Sequence, residues 1–263
     1  MNHFKTIELI KKEHVAYIFL NRPDVHNALN EILISEITRE FQSINADKDI
    51  RLIVLQGNGE SFCAGADLQW MAKAQEMPFE QNFEDSMNLA KCFFEIYSSK
   101  KITLAVIHGS SFGGANGFVT ACDYAICSHS TVFAFTEIKL GLIPATIAPY
   151  VILKMGMTNA KDLMISAQRI KGKEAERIGL VNCSVDDKAL EEYSKEFISS
   201  LLENAPKAQQ NIKQLIHYLS GREINKGLVY ETAEFIANAR ITSEAREGIN
   251  AFFEKRKPSW VEK

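Results

Sequence analysis

The chain has 263 residues, with 30 Lys and Arg against 33 Asp and Glu, 46% hydrophobic residues and 24% charged ones. Those proportions belong to an ordinary globular protein and exclude disordered and fibrous chains. A net charge of −3 argues against the basic field that nucleic-acid binding needs, but it leaves room for an anionic small ligand held by a few cations or helix N-termini.

The five cysteines are odd in number, irregularly spaced and free of any CxxC pair, so neither a zinc knuckle nor a disulfide scaffold is expected. The N-terminus lacks an apolar signal core, and the purest apolar run, residues 15–20, is far too short to span a bilayer. The expectation is a soluble chain, cytoplasmic or in an organelle matrix after processing, with no membrane partner.

Residues 15–20 read as a buried strand, ended by Asn21-Arg22-Pro23-Asp24. An amphipathic helix follows over 31–44, with Ile34, Ile37, Phe41 and Ile44 at three- and four-residue steps. Residues 52–55 form a second buried strand, 83–97 a helix, and 103–107 a third strand that enters a glycine cluster at Gly109–Gly117. Two more strands are expected at 124–127 and 131–135. Beyond them the helical period dominates, in 159–167, 173–178, 188–203, 207–219 and a charged stretch at 231–256. This order predicts an α/β core over residues 1–200 and a helical domain over 201–263, suited to oligomerisation or to capping the core.

Two segments place small residues directly after buried strands: Ser61-Phe62-Cys63-Ala64-Gly65-Ala66-Asp67-Leu68, and His108-Gly109-Ser110-Ser111-Phe112-Gly113-Gly114-Ala115-Asn116-Gly117. Small residues let a backbone approach a ligand, and unpaired N–H groups from two strand ends can converge on one oxygen as an oxyanion hole. Either cluster alone is better explained by close packing; the two together favour the site. Gly109-Ser110-Ser111-Phe112-Gly113 also fits a G-x-S-x-G elbow, which makes a serine hydrolase using Ser111 a competing reading. Its acid and histidine would be Asp186 or Asp187 and His217, although His217 falls within a helix.

Glu137 is the foremost acid–base candidate, because the apolar residues around it (Phe133, Phe135, Ile138, Leu140) disfavour its charged form. A surface glutamate beside Lys139 is the plainer alternative. The histidines show no paired spacing for a metal, so none is expected.

With these segments in order, the sequence resembles the crotonase superfamily of enoyl-CoA hydratases and isomerases. The resemblance runs through Asn21-Arg22-Pro23, Asn27-Ala28-Leu29, Phe62 to Leu68, Phe112-Gly113-Gly114, Ala121-Cys122-Asp123, Thr136-Glu137 and Leu140 to Pro144. It continues at Ala175, Gly179-Leu180-Val181, Glu247-Gly248-Ile249 and Ala251 to Pro258. It implies a crotonase-like spiral of ββα units with a C-terminal helical trimerisation domain, a homotrimer or a hexamer of paired trimers, and an acyl-CoA thioester substrate, coenzyme A being part of the substrate rather than a cofactor.

By position, the resemblance implies that the N–H groups of Ala66 and Gly114 hold the thioester oxygen. It implies CoA contacts at His26, Ala28, Ala64, Asp67 and Leu68, and a phosphate contact at Lys255. The family's hydratases carry two glutamates; here one position is Gly117 and only Glu137 remains. That leaves hydration by one carboxylate, a Δ3,Δ2-enoyl-CoA isomerase and a non-catalytic acyl-CoA-binding member all open. Asn116 is a candidate to hold a water, and Glu84 and Asp85 are candidate acids from a mobile segment or simple surface groups. Gly117, with Ala145-Thr146-Ile147-Ala148-Pro149-Tyr150 in place of a glycine-rich turn, is similar to the branch that hydrates 3-methylglutaconyl-CoA in leucine breakdown.

Overall fold

The apolar runs of the sequence become the central strands, since a strand covered on both faces has no position for polar side chains. The computed structural model describes residues 4–261. Its strands are β1 (Ile7–Lys12), β2 (Val15–Leu20), β3 (Leu52–Gly57), β4 (Ile102–Ile107), β5 (Ser110–Phe112), β6 (Tyr124–Ser128), β7 (Val132–Ala134), β8 (Ile170–Lys171) and β9 (Cys183–Val185). The helices are α1 (Glu31–Ala46), α2 (Leu68–Glu76), α3 (Phe79–Tyr97), α4 (Ala115–Ala121), α5 (Ala148–Ser166), α6 (Gly172–Arg177), α7 (Leu190–Leu202), α8 (Pro206–Leu219), α9 (Lys226–Arg240) and α10 (Ser243–Phe253).

The larger sheet runs β1-β2-β3-β4-β6-β9, antiparallel at β1–β2 and parallel thereafter. A smaller sheet, β5-β7-β8, forms a second layer. That layer is continued by isolated bridges between Leu29 and Ala66 and between Cys63 and Ser111. After β2, β3, β4 and β6 the chain therefore steps into the short layer, then through helical segments, and returns to the large sheet one strand further along. The outcome is a spiral of strand, short strand and helix, as the sequence led us to expect.

The core lies between the large sheet and its helices. Leu33, Ile34, Ile37, Phe41 and Ile44 put the apolar stripe of α1 into it, each no more than 2% exposed. Burying each such side chain is worth about 1.5–3 kcal/mol. The start of α1 is fixed by Asn30, whose side-chain oxygen accepts from the Leu33 N–H at 2.9 Å.

The chain divides into two compact units, one ending at Lys195 and one beginning at Glu196. In the second unit, the Glu244 carboxylate of α10 accepts from the N–H groups of Lys207 and Ala208 in the first turn of α8, at 3.1 and 2.8 Å. The Trp260 indole donates to the Glu203 carbonyl at 3.1 Å.

Helix α2 has no counterpart in the sequence expectation, and two expected helices differ in more than where they begin or end. The stretch 231–256 is split into α9 and α10, because Thr242 Oγ1 accepts from Ala245 N–H at 3.1 Å and caps a new helix. The helical pattern at 159–167 is the end of α5, which starts eleven residues earlier and is interrupted at Gly156 (φ 77°, ψ 160°).

The turn after β2 depends on Asn27, fully buried and in a left-handed conformation (φ 57°). Its side chain accepts from Arg22 N–H at 2.8 Å and donates to the carbonyls of Asn58 and Ser61, both at 2.8 Å. Asn27→Ala strands these buried groups, so a loss of about 3 kcal/mol in unfolding free energy is expected. Urea denaturation measures it, and an unchanged midpoint would refute the role of the side chain.

Candidate active site

The two glycine clusters meet backbone to backbone. Gly65 has φ 93°, and a Cβ placed on it would lie 2.7 Å from the Phe112 carbonyl oxygen. Only glycine permits that approach. On its other side, Leu29 N–H donates to Gly65 O at 2.7 Å and Asp67 N–H donates to Leu29 O at 2.8 Å. Successive peptide groups along an extended segment point to opposite sides, so the N–H of Ala66 is turned away from Leu29.

Gly114 is the residue before α4, and a Cβ on it would stand 3.2 Å from Leu29 Cδ1, beside the bridge that holds Ala66. Helix-start N–H groups have no intrahelical acceptor. Among the described residues, neither Ala66 N–H nor Gly114 N–H has a protein acceptor.

Glu137 opens a 3-10 turn, Glu137–Leu140, three residues after the end of β7. Its Oε1 lies 3.2 Å from the point a Cβ on Gly113 (φ 52°) would occupy, so the carboxylate sits against the residue preceding Gly114. Its Oε2 is buried without a hydrogen-bond partner among the described residues. Burial pushes this carboxyl above the usual carboxylate range, with its own backbone N–H offsetting part of the effect.

Position 117, where the resemblance implies a second glutamate, is walled by hydrocarbon. A Cβ on Gly117 would be 2.5 Å from Ile147 Cγ2 and from Phe93 Cε1 and Cζ. Phe93 is fully buried, with ring contacts to Phe118 at 5.4 Å and Tyr150 at 6.4 Å. Two departures noted in the sequence, Gly117 and the segment carrying Ile147, are thus one packing arrangement.

Ser111 is not placed as an exposed nucleophile. It lies in the middle of β5 rather than at an elbow, is fully buried, and donates to Asn116 Oδ1 at 2.9 Å. Asn116 is also fully buried and donates from Nδ2 to Ala134 O at 2.9 Å, which leaves its amide committed to protein groups rather than to a water. Asp85 accepts from the Trp70 indole N–H at 3.1 Å and links α3 to α2.

The turns around His26 and Ala64 lie side by side, with Ala64 N–H donating to His26 O at 2.9 Å. His26 is exposed and left-handed (φ 50°), Ala28 is buried, and Leu68 is 82% exposed. The Asp67 carboxylate is engaged: it pairs with Arg22 at 2.7 Å and caps α2 through Gln69 N–H at 2.9 Å. Burial pushes its carboxyl up, but the guanidinium and the capping N–H groups outweigh this and hold it below the usual range. Arg22 also donates to Ala28 O, so one side chain joins the two turns. Sequence reading passed over that role; the only signal is an arginine in the first turn and an acid in the second. Lys255 belongs to the second unit, where it is exposed and left-handed (φ 52°). Among the described residues no His, Cys, Asp and Glu group is arranged to hold a metal, and no helix is long and apolar enough to cross a membrane.

Comparison with known proteins converges on one family. The family model for enoyl-CoA hydratase/isomerase matches residues 10–263. The short-chain-enoyl-CoA hydratase of Clostridium acetobutylicum is 33% identical over 251 residues, covering 95% of each chain. An enoyl-CoA hydratase structure from Shewanella pealeana superposes with a TM-score of 0.94 at 36% identity, covering 98% of this chain and 96% of that one. An enoyl-CoA hydratase/isomerase structure from Marinobacter aquaeolei gives 0.92 at 32% identity, covering 98% and 99%.

The buried carboxyl can be observed without substrate. In a carbon-13 NMR titration, Glu137 is expected to protonate at a higher pH than Glu31, whose carboxyl is held low by its own backbone N–H and by Lys73. A Glu137 midpoint at or below that of Glu31 would remove the argument for an acid–base group.

Proposed function

Because the chain belongs to the enoyl-CoA hydratase/isomerase family and takes the crotonase fold, we propose that it adds water reversibly to a 2-enoyl-CoA, with Glu137 as the acid–base group. The observation that carries this reading is the Glu137 carboxylate seated against Gly113, next to the acceptor-free N–H of Gly114. The thioester oxygen accepts from Ala66 N–H and Gly114 N–H. Ionised Glu137 takes a proton from water as its oxygen bonds to C3, and charge moves through C2 onto the thioester oxygen. Glu137 then returns the proton to C2 on the same face, giving syn addition and restoring the carboxylate. Removing one oxyanion donor typically costs about 10²–10³ in rate.

Coenzyme A enters as part of the substrate, and this chemistry calls on no separate cofactor. We assign His26, Ala28, Ala64 and Leu68 to its contacts, Asp67 through its backbone and its hold on Arg22, and Lys255 to the phosphates. For the acyl group we favour 3-methylglutaconyl-CoA or a related branched enoyl-CoA, on the strength of Gly117 and the 145–150 segment. We extend the reading to a cytoplasmic homotrimer or hexamer; in the second unit Tyr230, Phe252 and Phe253 are each at least 74% exposed, which supports assembly.

One observation favours a second reading. With Phe93 and Ile147 where a second acid would stand, the site suits a Δ3,Δ2-enoyl-CoA isomerase, in which Glu137 moves a proton between C4 and C2 without water. The Ser111 hydrolase loses its ground, because that hydroxyl is buried and bonded to Asn116.

Absorbance of the conjugated enoyl thioester tests these readings with purified protein, crotonyl-CoA, 3-methylglutaconyl-CoA and 3-enoyl-CoAs. Loss of the band from 2-enoyl substrates is expected; its gain from 3-enoyl substrates would indicate the isomerase, and release of free thiol the hydrolase. Glu137→Gln is expected to lower kcat by about 10²–10⁴, the usual range for an acid–base group; an unaffected rate would sink the assignment. The reactive form is the carboxylate, so kcat/KM is expected to fall as pH drops through the raised pKa of Glu137, above the range of an ordinary carboxylate.

A further inference from the structure

Ser111 and Asn116 are buried polar residues that the proposed chemistry does not use. We propose that they are positioning residues, a clamp that fixes the start of α4, and with it the Gly114 N–H, relative to the segment carrying Glu137. The proposal rests on the reading of Gly114 and Glu137 given above.

The clamp centres on one carbonyl. Ala134 O accepts from Gly113 N–H at 2.9 Å and from Asn116 Nδ2 at 2.9 Å. Ala134 ends β7 and stands three residues before Glu137. Asn116 Oδ1 in turn accepts from Ser111 Oγ at 2.9 Å, which ties the same amide to β5. The Asn116 backbone is held as well: its N–H donates to Gly113 O at 3.0 Å, and its carbonyl accepts from Thr120 Oγ1 at 2.8 Å. Both side chains are fully buried. A buried network in which each polar side-chain atom has a partner is rigid in a low-dielectric interior and specifies one geometry.

This arrangement joins the two halves of the site. Gly114 lies between Gly113 and Asn116, and both neighbours are tied to the carbonyl of Ala134. The donor and the carboxylate therefore move as one body with β7. A shift of about 1 Å in such a group can cost on the order of 10²-fold in rate. The serine that suggested a nucleophile thus orients an amide.

Ser111→Ala and Asn116→Leu test the clamp, with Val119→Ala as a control. Val119 is fully buried in the same helix but takes no part in the network. Rates with a 2-enoyl-CoA, thermal midpoints and mass-spectrometric amide exchange of residues 113–117 are measured for each. Expected are a fall in kcat of about tenfold for Ser111→Ala and more for Asn116→Leu, KM within about twofold, and faster exchange across 113–117. Ser111→Thr, which keeps the hydroxyl, is expected to recover most of kcat. Val119→Ala is expected to lower the thermal midpoint while kcat holds. If Ser111→Ala keeps wild-type kcat and exchange, or if Val119→Ala matches its loss of kcat at equal destabilisation, the clamp is overturned. A wild-type protein inactive on every enoyl-CoA would instead defeat the proposed function. Exchange across 113–117 would then judge the clamp alone, and unchanged exchange in Ser111→Ala would refute it.

Discussion

The site depends on one close approach, the peptide of Gly65 lying against the carbonyl of Phe112. A side chain at position 65 would reach within 2.7 Å of that oxygen, and the backbone there is left-handed, so both demands select glycine. Because this contact sits where two successive turns of the spiral leave the large sheet, it brings Ala66 beside the start of α4. Each segment keeps its other hydrogen bonds: the Gly65 carbonyl and the Asp67 N–H go to Leu29, and Gly113 N–H goes to Ala134. What remains is a pair of N–H groups with no protein acceptor among the described residues. Ala66 and Gly114 are both half-buried, so their N–H groups are open to an incoming acceptor. In the proposed reaction that acceptor is the thioester oxygen.

The second constraint is the apolar filling at Gly117. Phe93 from α3 and Ile147 at the start of α5 leave no volume for even a Cβ there. In the proposed reaction, acid–base work on this side of the site would therefore fall to Glu137 alone. A lone carboxylate that must both accept and return a proton works best when its two protonation states are close in free energy. Burial without a partner on Oε2 moves Glu137 in that direction. The same hydrocarbon that removes a second acid thus belongs to a site in which the first is poorly solvated.

Much of this fold was legible because the large sheet is buried on both faces. The run at 15–20 coincides with β2, and Leu52 to Leu55 lie within β3, each at most 1% exposed. By contrast, β1 carries the pattern buried, exposed, intermediate and then exposed to its end, typical of an edge strand, and gives no periodic signal. The second layer was legible only at β7, which lies within the expected strand at 131–135; β5 and β8 have three and two residues, too few for any period, and β5 lies inside a glycine cluster that reads as a turn. The case for Glu137 was half legible. Phe133 and Phe135 are buried as expected, but Ile138 and Leu140 are 45% and 61% exposed. The burial of its carboxylate is supplied from elsewhere in the fold. The Arg22–Asp67 pair spans 45 positions, and the wall at Gly117 joins three helical segments, so neither has a local pattern to read.

The electrostatics of the candidate site explain why its parts are held separately. Two outward N–H dipoles and a nearby carboxylate favour each other, and a mobile Glu137 would turn to satisfy them itself. The structure prevents this by anchoring each partner separately. Gly114 is fixed through Gly113 and Asn116 to Ala134, and Ala66 is fixed through its neighbours to Leu29. Glu137 is fixed by the 3-10 turn, where Gly141 N–H bonds to Ile138 O and Leu142 N–H to Glu137 O, each at 3.1 Å. Donors held in place before the substrate arrives need no reorganisation when charge develops on its oxygen, which is where electrostatic catalysis gains most. In the proposed reaction, the hydrogen bonds around Ala134 and Leu29 thus hold the donors and the carboxylate in place for the thioester oxygen.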